Sequence, residues 1–161
     1  MTIAEYNLCV EQHADGIYRF ILKNLGDTES SKDIVQDTFE KLWKRYADVN
    51  FEKAKSYLFT TAYHTMIDMI RKRKNTENIE DALEVADSRS KPSFDVNEIL
   101  ERAVNYLPDM QRSVLLLRDY EGYNYKEIGE ITGLNESQVK VYIFRARKFL
   151  MNYIGSPESI L

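Results

Sequence analysis

The stretch YKEIGEITGLNESQV, residues 125–139, decides the fold because it predicts two helices joined by a tight turn. Ile128 and Ile131 lie three residues apart and are expected to face the core. Gly129 is small enough for a second helix to cross closely, and Gly133 can adopt the positive φ that a tight turn requires. The stretch therefore predicts a helix-turn-helix.

The second helix of this motif is predicted to have one apolar face. Leu134 is expected to plug the corner, and Asn135 to cap the helix. The residues that share the apolar face are Val139, Tyr142, Ile143, Ala146 and Leu150. The residues that project elsewhere, and so are available to a DNA groove, are Ser137, Gln138, Lys140, Val141, Phe144, Arg145 and Lys148. The alternative is a helical hairpin with a solvated basic side, which the combination of small residue, Gly turn and basic helix disfavours.

The rest of the chain is predicted to be helical as well. It has 161 residues with only six Gly and three Pro, and neither type occurs from Asp27 to Lys91. Sparse turn residues favour an all-α protein over a β fold. The first predicted helix runs from Ile3 to Leu25 with a break near His13, and the second begins at a cap at Asp27 or Thr28. The third runs from about Lys53 to Lys74. A fourth begins near Val96, and a fifth has Pro108 in its first turn and ends at Tyr120.

The charge pattern divides the chain into three segments. Residues 1–75 carry a net charge of +1, residues 76–95 carry -4, and residues 96–161 carry -1. The middle segment also contains Pro92 and has no strong helical period, so it is predicted to be a flexible acidic linker. Two small helical domains, 1–75 and 96–161, would flank it.

Composition excludes several classes of protein. The formal net charge is -4, and the single Cys9 rules out an internal disulfide and fits a cytoplasmic location. No span of about 20 apolar residues exists, so membrane insertion is not expected. We find no nucleophile–base pair, phosphate-binding Gly loop or zinc spacing, which predicts a protein that is not an enzyme and needs no cofactor or metal. His64 and Asp68 lie one turn apart but lack a third ligand.

Four sequence blocks, taken in order, resemble the extracytoplasmic-function (ECF) sigma factors of the sigma-70 superfamily, the compact two-domain specificity subunits of bacterial RNA polymerase. The blocks are Asp33 to Phe39, Tyr57 to His64 with Asp68 to Arg73, Leu107-Pro108 with Arg112, and Glu121 to Tyr123 with Val139 to Lys148. The sequence departs from the family pattern at Tyr57, His64, Thr132 and Val141-Tyr142. The last pair lies in the base-reading region, so promoter preference cannot be copied from relatives.

This resemblance implies that the chain binds polymerase core and directs transcription initiation at promoters. The core's clamp helices would contact the first domain through Asp33, Gln36, Asp37 and Glu40, and the flap of the core is a further expected contact. The proximal promoter element would be opened and held by Asn50, Phe51, Lys53, Lys55, Tyr57, Tyr63, Arg71, Lys72, Arg73 and Lys74. The distal element would be read by the outward residues of the second helix together with Arg112. An anti-sigma protein is a further expected partner.

Alternative interpretations remain at the level of the whole protein and of single residues. A stand-alone helix-turn-helix regulator would bind a palindrome as a dimer, but it leaves the blocks of the first domain unexplained. A sigma-like decoy would bind an anti-sigma protein without touching DNA, and the basic residues Lys140, Arg145, Arg147 and Lys148 disfavour it. Tyr63 fits a core position as well as a base contact, because aromatic stripes usually pack.

Overall fold

The computed structural model describes residues 1–76 and 95–155, and over these residues it is all-α, which confirms the predicted fold class. Almost all of the predicted linker lies outside the described residues. The N-terminal helices are α1 (Ile3–Leu25), α2 (Thr28–Arg45) and α3 (Ala54–Thr76), with 3-10 turns at Tyr46–Asp48 and Phe51–Lys53 between α2 and α3. The C-terminal helices are α4 (Val96–Tyr106), α5 (Asp109–Leu115), α6 (Tyr125–Thr132) and α7 (Glu136–Ile154).

Helix α1 is continuous, so the predicted break near His13 is wrong. The helix begins at a capping box between Thr2 and Glu5 and ends at Gly26, whose φ of 71° is left-handed. Cys9 and Ile17 are both fully buried on either side of His13. They lie eight residues apart and so share one helix face, and burial of that face holds the polar middle of the segment in the helix.

Helix α3 is buried on more than one side, as its dense apolar sequence predicts. The ring of Phe59 lies 5.8 Å from that of Phe20 on α1 and 5.3 Å from that of Tyr123, which precedes α6. Leu58 and Met66 are also buried. The helix therefore contacts both the N-terminal and the C-terminal helices, which share one continuous buried core.

Helix α5 starts directly after Pro108, one residue later than predicted, and the turn that follows it is wound more widely than an α-helix. The segment Leu116–Tyr120 continues α5 as a π-helix. The chain then turns at Gly122, where φ is 78°. This left-handed turn sends Tyr123 back into the core, where it is buried.

The helix-turn-helix has the predicted geometry. Ile128 and Ile131 are fully buried, and Gly133 has a φ of 81°. A Cβ atom added at Gly129 would lie 2.6 Å from the carbonyl oxygen of Leu134. The small residue is therefore required by the backbone of the turn itself, and not by a second helix as the sequence suggested.

Replacing Gly129 with Ala should destabilise the protein by about 1–3 kcal/mol, because the new methyl group meets backbone that cannot move aside cheaply. Urea unfolding followed by circular dichroism measures the change. Glu130→Ala is the matched control, since Glu130 is exposed on the same helix. Equal unfolding midpoints for the two variants would refute the close contact.

Candidate nucleic-acid interface

Helix α7 presents a basic surface behind the turn. Its inner face buries Val139, Ile143 and Ala146. The outward residues predicted from the sequence are all exposed, namely Ser137, Gln138, Lys140, Val141, Phe144, Arg145 and Lys148. Phe144 is 68% exposed, which is unusual for a large apolar side chain. No acidic residue occurs between Gln138 and Ile154, so every charged side chain in this stretch of α7 is basic.

Gln138 has a structural role that the sequence analysis missed. Its side-chain oxygen accepts a hydrogen bond from the backbone N–H of Asn135 at 3.0 Å, and its own backbone N–H donates to the side-chain oxygen of Asn135 at 2.8 Å. This reciprocal pair is a capping box at the start of α7. The spacing of Asn135 and Gln138 was the signal in the sequence. The side-chain nitrogen of Gln138 takes no part in this capping box.

Arg147 is tied to the body of the C-terminal helices. Its guanidinium donates to the two carboxylate oxygens of Asp119 at 2.6 and 3.3 Å. These hydrogen bonds raise the pKa of Arg147. Arg145, two residues earlier, is exposed on α7. The guanidinium of Arg147 is therefore already paired with a carboxylate, whereas Arg145 is more available to bind a ligand.

Arg112 lies away from this surface, contrary to its predicted place in the distal DNA-binding set. Its residue surface is only 8% exposed. The guanidinium donates to the carbonyl of Leu107 at 3.2 Å and to the carboxylate of Asp109 at 2.9 Å. It also reaches the carbonyl of Asn24 on α1 at 3.5 Å. In this arrangement Arg112 joins the end of α4, the start of α5 and the end of α1.

The predicted proximal set is spread over α3 and the turns before it. Exposed members are Asn50, Lys53, Lys55, Arg71, Lys72 and Lys74, and half-buried members are Phe51, Tyr57 and Arg73. Asn50 caps the second 3-10 turn. Arg73 pairs with Asp27 at 3.4 Å and also donates to Ser30, so it is held against the start of α2.

Tyr63 is buried, with 3% of its surface exposed, and burial raises the pKa of its phenol. Its hydroxyl donates to the sulfur of Met110 on α5 at 3.6 Å. In this arrangement no base could stack on it. The expectation of a core position fits the geometry, whereas a base contact would require Tyr63 to be uncovered.

A polar groove between α2 and α3 went unnoticed in the sequence. It is lined on the α2 side by Lys41, Lys44 and Arg45, and on the α3 side by Tyr57, Thr60, Thr61, His64, Thr65 and Asp68. Lys41 donates to the hydroxyl of Thr65 at 3.0 Å across it. The signal was the three-to-four spacing of these residues on the two helices.

The predicted core-binding residues form one face of α2. Asp33, Gln36, Asp37 and Glu40 are all exposed and recur at three- and four-residue spacing. The opposite face buries Ile34, Thr38 and Leu42. This acidic surface is a separate site from the basic surface of α7, since it lies on a different helix.

Two family descriptions together cover most of the chain. Residues 9–76 match Sigma-70 region 2, and residues 97–150 match Sigma-70 region 4. A protein with these two regions is a sigma factor, a non-enzymatic subunit that directs RNA polymerase to promoters.

The relatives narrow the class. The ECF RNA polymerase sigma factor SigM of Bacillus subtilis is 30% identical over 155 residues, covering 93% of both chains. The RNA polymerase sigma factor YlaC of the same organism is 31% identical over 149 residues, covering 84% of both. The fold is similar to the sigma factor RpoE of Bartonella quintana in complex with the anti-sigma factor NepR, with a TM-score of 0.77, 19% identity and coverage of 96% of this chain and 99% of that chain. The chain belongs to the extracytoplasmic-function sigma factors.

No helix in residues 1–76 or 95–155 is both long and apolar enough to cross a membrane.

The position of Arg112 leads to a test. Arg112→Ala should lower the free energy of unfolding by roughly 2 kcal/mol or more, because buried acceptors lose a charged donor. Chemical denaturation measures this loss, with Arg145→Ala as the control for removing an exposed arginine. Unfolding curves that coincide for Arg112→Ala and the unsubstituted protein would contradict the structural role.

Proposed function

We propose that the two parts of this sigma factor carry out separate steps of initiation. Residues 1–75 bind polymerase core and hold the opened proximal element, residues 96–161 read the distal element as duplex, and residues 76–95 connect them. The observation that supports the division best is the exposed, acid-free surface of α7 behind the helix-turn-helix. A cationic helix of this kind fits the major groove of duplex DNA.

Base reading by α7 would combine donors and apolar contacts. Lys140 and Arg145 supply hydrogen-bond donors, and Val141 and Phe144 supply apolar surface for base edges such as the thymine methyl. Arg145 can donate two hydrogen bonds to one guanine, because no acidic side chain of α7 pairs with its guanidinium. The guanidinium of Arg147, in contrast, is already paired with Asp119. Lys148 lies farther along the helix and would meet phosphate.

The proximal element would be held as a single strand by the N-terminal helices. The groove between α2 and α3 offers cations from Lys41, Lys44 and Arg45 next to the ring of Tyr57. Cations that follow the phosphates, with an aromatic ring for stacking, are the two requirements for binding an unpaired strand. Arg71, Lys72 and Lys74 extend the cationic surface along α3 for adjoining phosphates.

The partners follow from the same division of labour. Asp33, Gln36, Asp37 and Glu40 would contact the clamp helices of the core, and the C-terminal domain would contact the flap. The chain would catalyse no reaction itself and would act in the cytoplasm with the polymerase. RpoE is bound by the anti-sigma factor NepR, and we propose that an anti-sigma protein likewise regulates this chain.

Arg145→Ala should relax preference at one base pair of the distal element, since a bidentate contact with guanine contributes roughly 1–3 kcal/mol of discrimination. Transcription by core polymerase from a randomised promoter library measures this preference. Arg147→Ala is the matched control and should change all promoters to the same extent, because its partner is Asp119. An unchanged preference, or an equal loss on every sequence, would remove Arg145 from the base-reading set.

Asp37→Lys should weaken binding to core polymerase sharply, because it reverses charge in the centre of the acidic face of α2. Its effect on unfolding should be about 0.5 kcal/mol or less, since Asp37 is exposed. Competition for core against a labelled sigma factor measures affinity. Glu130→Lys makes the same reversal on α6 and should bind normally. If the Asp37→Lys variant bound core polymerase with unchanged affinity, this face of α2 would be solvated surface and not a binding site.

A further inference from the structure

The end of α3 is attached to the start of α2 by a single cation. Met66 is buried and Ile70 is half-buried on the inner face of α3, and Arg73 follows three residues later on the same face. No apolar residue follows Ile70 in this helix. The contact of the last turns of α3 with α2 is therefore polar, and Arg73 makes it.

Three side chains form this contact, which we call the Asp27 tether: Asp27, Ser30 and Arg73. The guanidinium of Arg73 lies 3.4 Å from the Asp27 carboxylate and also donates to the hydroxyl of Ser30. That hydroxyl donates in turn to the Asp27 carboxylate at 2.5 Å. Ser30 is only 8% exposed. The three groups thus form a closed ring of hydrogen bonds that joins the end of α3 to the first turn of α2.

The two carboxylate oxygens of Asp27 have different tasks. Oδ1 accepts from the backbone N–H of Glu29 at 3.2 Å and caps α2, whereas Oδ2 accepts from Ser30 and Arg73. An Asn side chain caps a helix as well as Asp does. It would place a neutral NH2 group against Arg73, and two donors cannot pair. Substitution by Asn therefore separates the tether from the cap.

The end of α3 depends on such an attachment. Residues 71–74 are four consecutive cations, and Arg71 and Lys74 lie three residues apart, where like charges repel on a helix. The helix dipole offsets part of this repulsion but gives the last turn no fixed position. Helix ends also fray readily. Among residues 71–76, Arg73 alone is half-buried, and the others are exposed.

We propose that Arg73 is a positioning residue: the Asp27 tether holds the end of α3 so that Arg71 and Lys72 meet phosphates of the opened promoter strand as a fixed pair. The proposal rests on the proposed function for the strand that these two cations bind. Cations fixed in advance bind more tightly than mobile ones, because their ordering is complete before the strand arrives. Arg73 therefore acts through its neighbours and not by touching DNA.

Asp27→Asn distinguishes positioning from simple electrostatics, because the two predict opposite signs. Removing a negative charge beside a cationic surface would strengthen binding to DNA if charge alone mattered. Loss of the tether should instead weaken it about threefold to tenfold. The measurement is binding of the chain, assembled with core polymerase, to a fork DNA. The fork carries a promoter selected from the randomised library with its proximal element unpaired.

Glu29→Gln is the matched control. It removes the same charge two residues away, from an exposed side chain whose hydrogen bond to Asp27 is made by the backbone N–H. This variant should bind the fork DNA as tightly as the unsubstituted chain or slightly more tightly. If Asp27→Asn bound as tightly as Glu29→Gln, the positioning role of Arg73 would be wrong.

The mobility of a spin label tests the tether in the chain without polymerase. The label is placed at Asn75→Cys, an exposed position near the end of α3, and the native Cys9 is buried. Asp27→Asn and Arg73→Gln should each increase its mobility. The double variant should be no more mobile than the single ones, since all three lose the same contact. Equal mobility in all four chains, or an additive increase in the double variant, would overturn the proposal.

Urea unfolding identifies any variant that has lost its fold. Ser30→Ala removes the middle of the tether without changing charge, so it keeps the proposal testable if Asp27→Asn does not fold. It should raise the label mobility and weaken fork binding in the same direction as Asp27→Asn. A rigid label and unchanged binding in Ser30→Ala would count against the tether.

Lys72→Ala separates this proposal from the proposed function. Loss of a phosphate contact should weaken binding to the fork DNA and lower the salt dependence of binding by about one charge. If Lys72→Ala binds normally, this surface does not hold promoter phosphates and the proposed function fails there, whereas the label still reports on the tether. If Lys72→Ala weakens binding and Asp27→Asn does not, the positioning proposal alone is wrong.

Discussion

The burial of Phe59 is the contact on which the arrangement of the molecule depends. Its ring lies between Phe20 of α1 and Tyr123 of the C-terminal part, so one side chain of α3 belongs to two packing layers. The exposed positions of α3 are Lys55 near its start, His64 and Asp68 in its middle, and most of its C-terminal end. The cations at its end and the groove beside α2 lie on what remains. Packing therefore determines which residues of this helix can meet a ligand.

The elements that the sequence predicted well are those that depend on neighbouring residues. Gly133 permits the turn, Asn135 caps the helix after it, and Ile128 and Ile131 repeat at helical spacing. Each of these effects acts within one or two turns of helix, and the pattern is therefore legible without the tertiary structure. The exposed face of α7 follows from the same periodicity, because burying Val139 and Ile143 determines where the other residues point.

What the sequence could not reveal depends on contacts between distant residues. Arg112 has the residue type of a DNA contact, yet Leu107, Asp109 and Asn24 enclose it, and Asn24 lies on another helix. Tyr63 is covered by Met110 for the same reason. The sequence shows which partners a charged or aromatic side chain could bind, but not which of them contacts it in the folded chain. The break predicted in α1 was wrong because the packing of Cys9 and Ile17 outweighs a polar segment.

The capping box at the start of α7 limits how this sigma factor could acquire a new promoter preference. Gln138 sits on the outward side of the helix, but its oxygen is committed to the backbone of Asn135. If Gln138 reads DNA as proposed, substitution there would alter recognition and loosen the helix at once, whereas Lys140, Val141, Phe144 and Arg145 have no part in the capping box. Evolutionary divergence, or an engineer redesigning specificity, would therefore find its freedom one turn beyond the cap and a structural constraint at the cap itself.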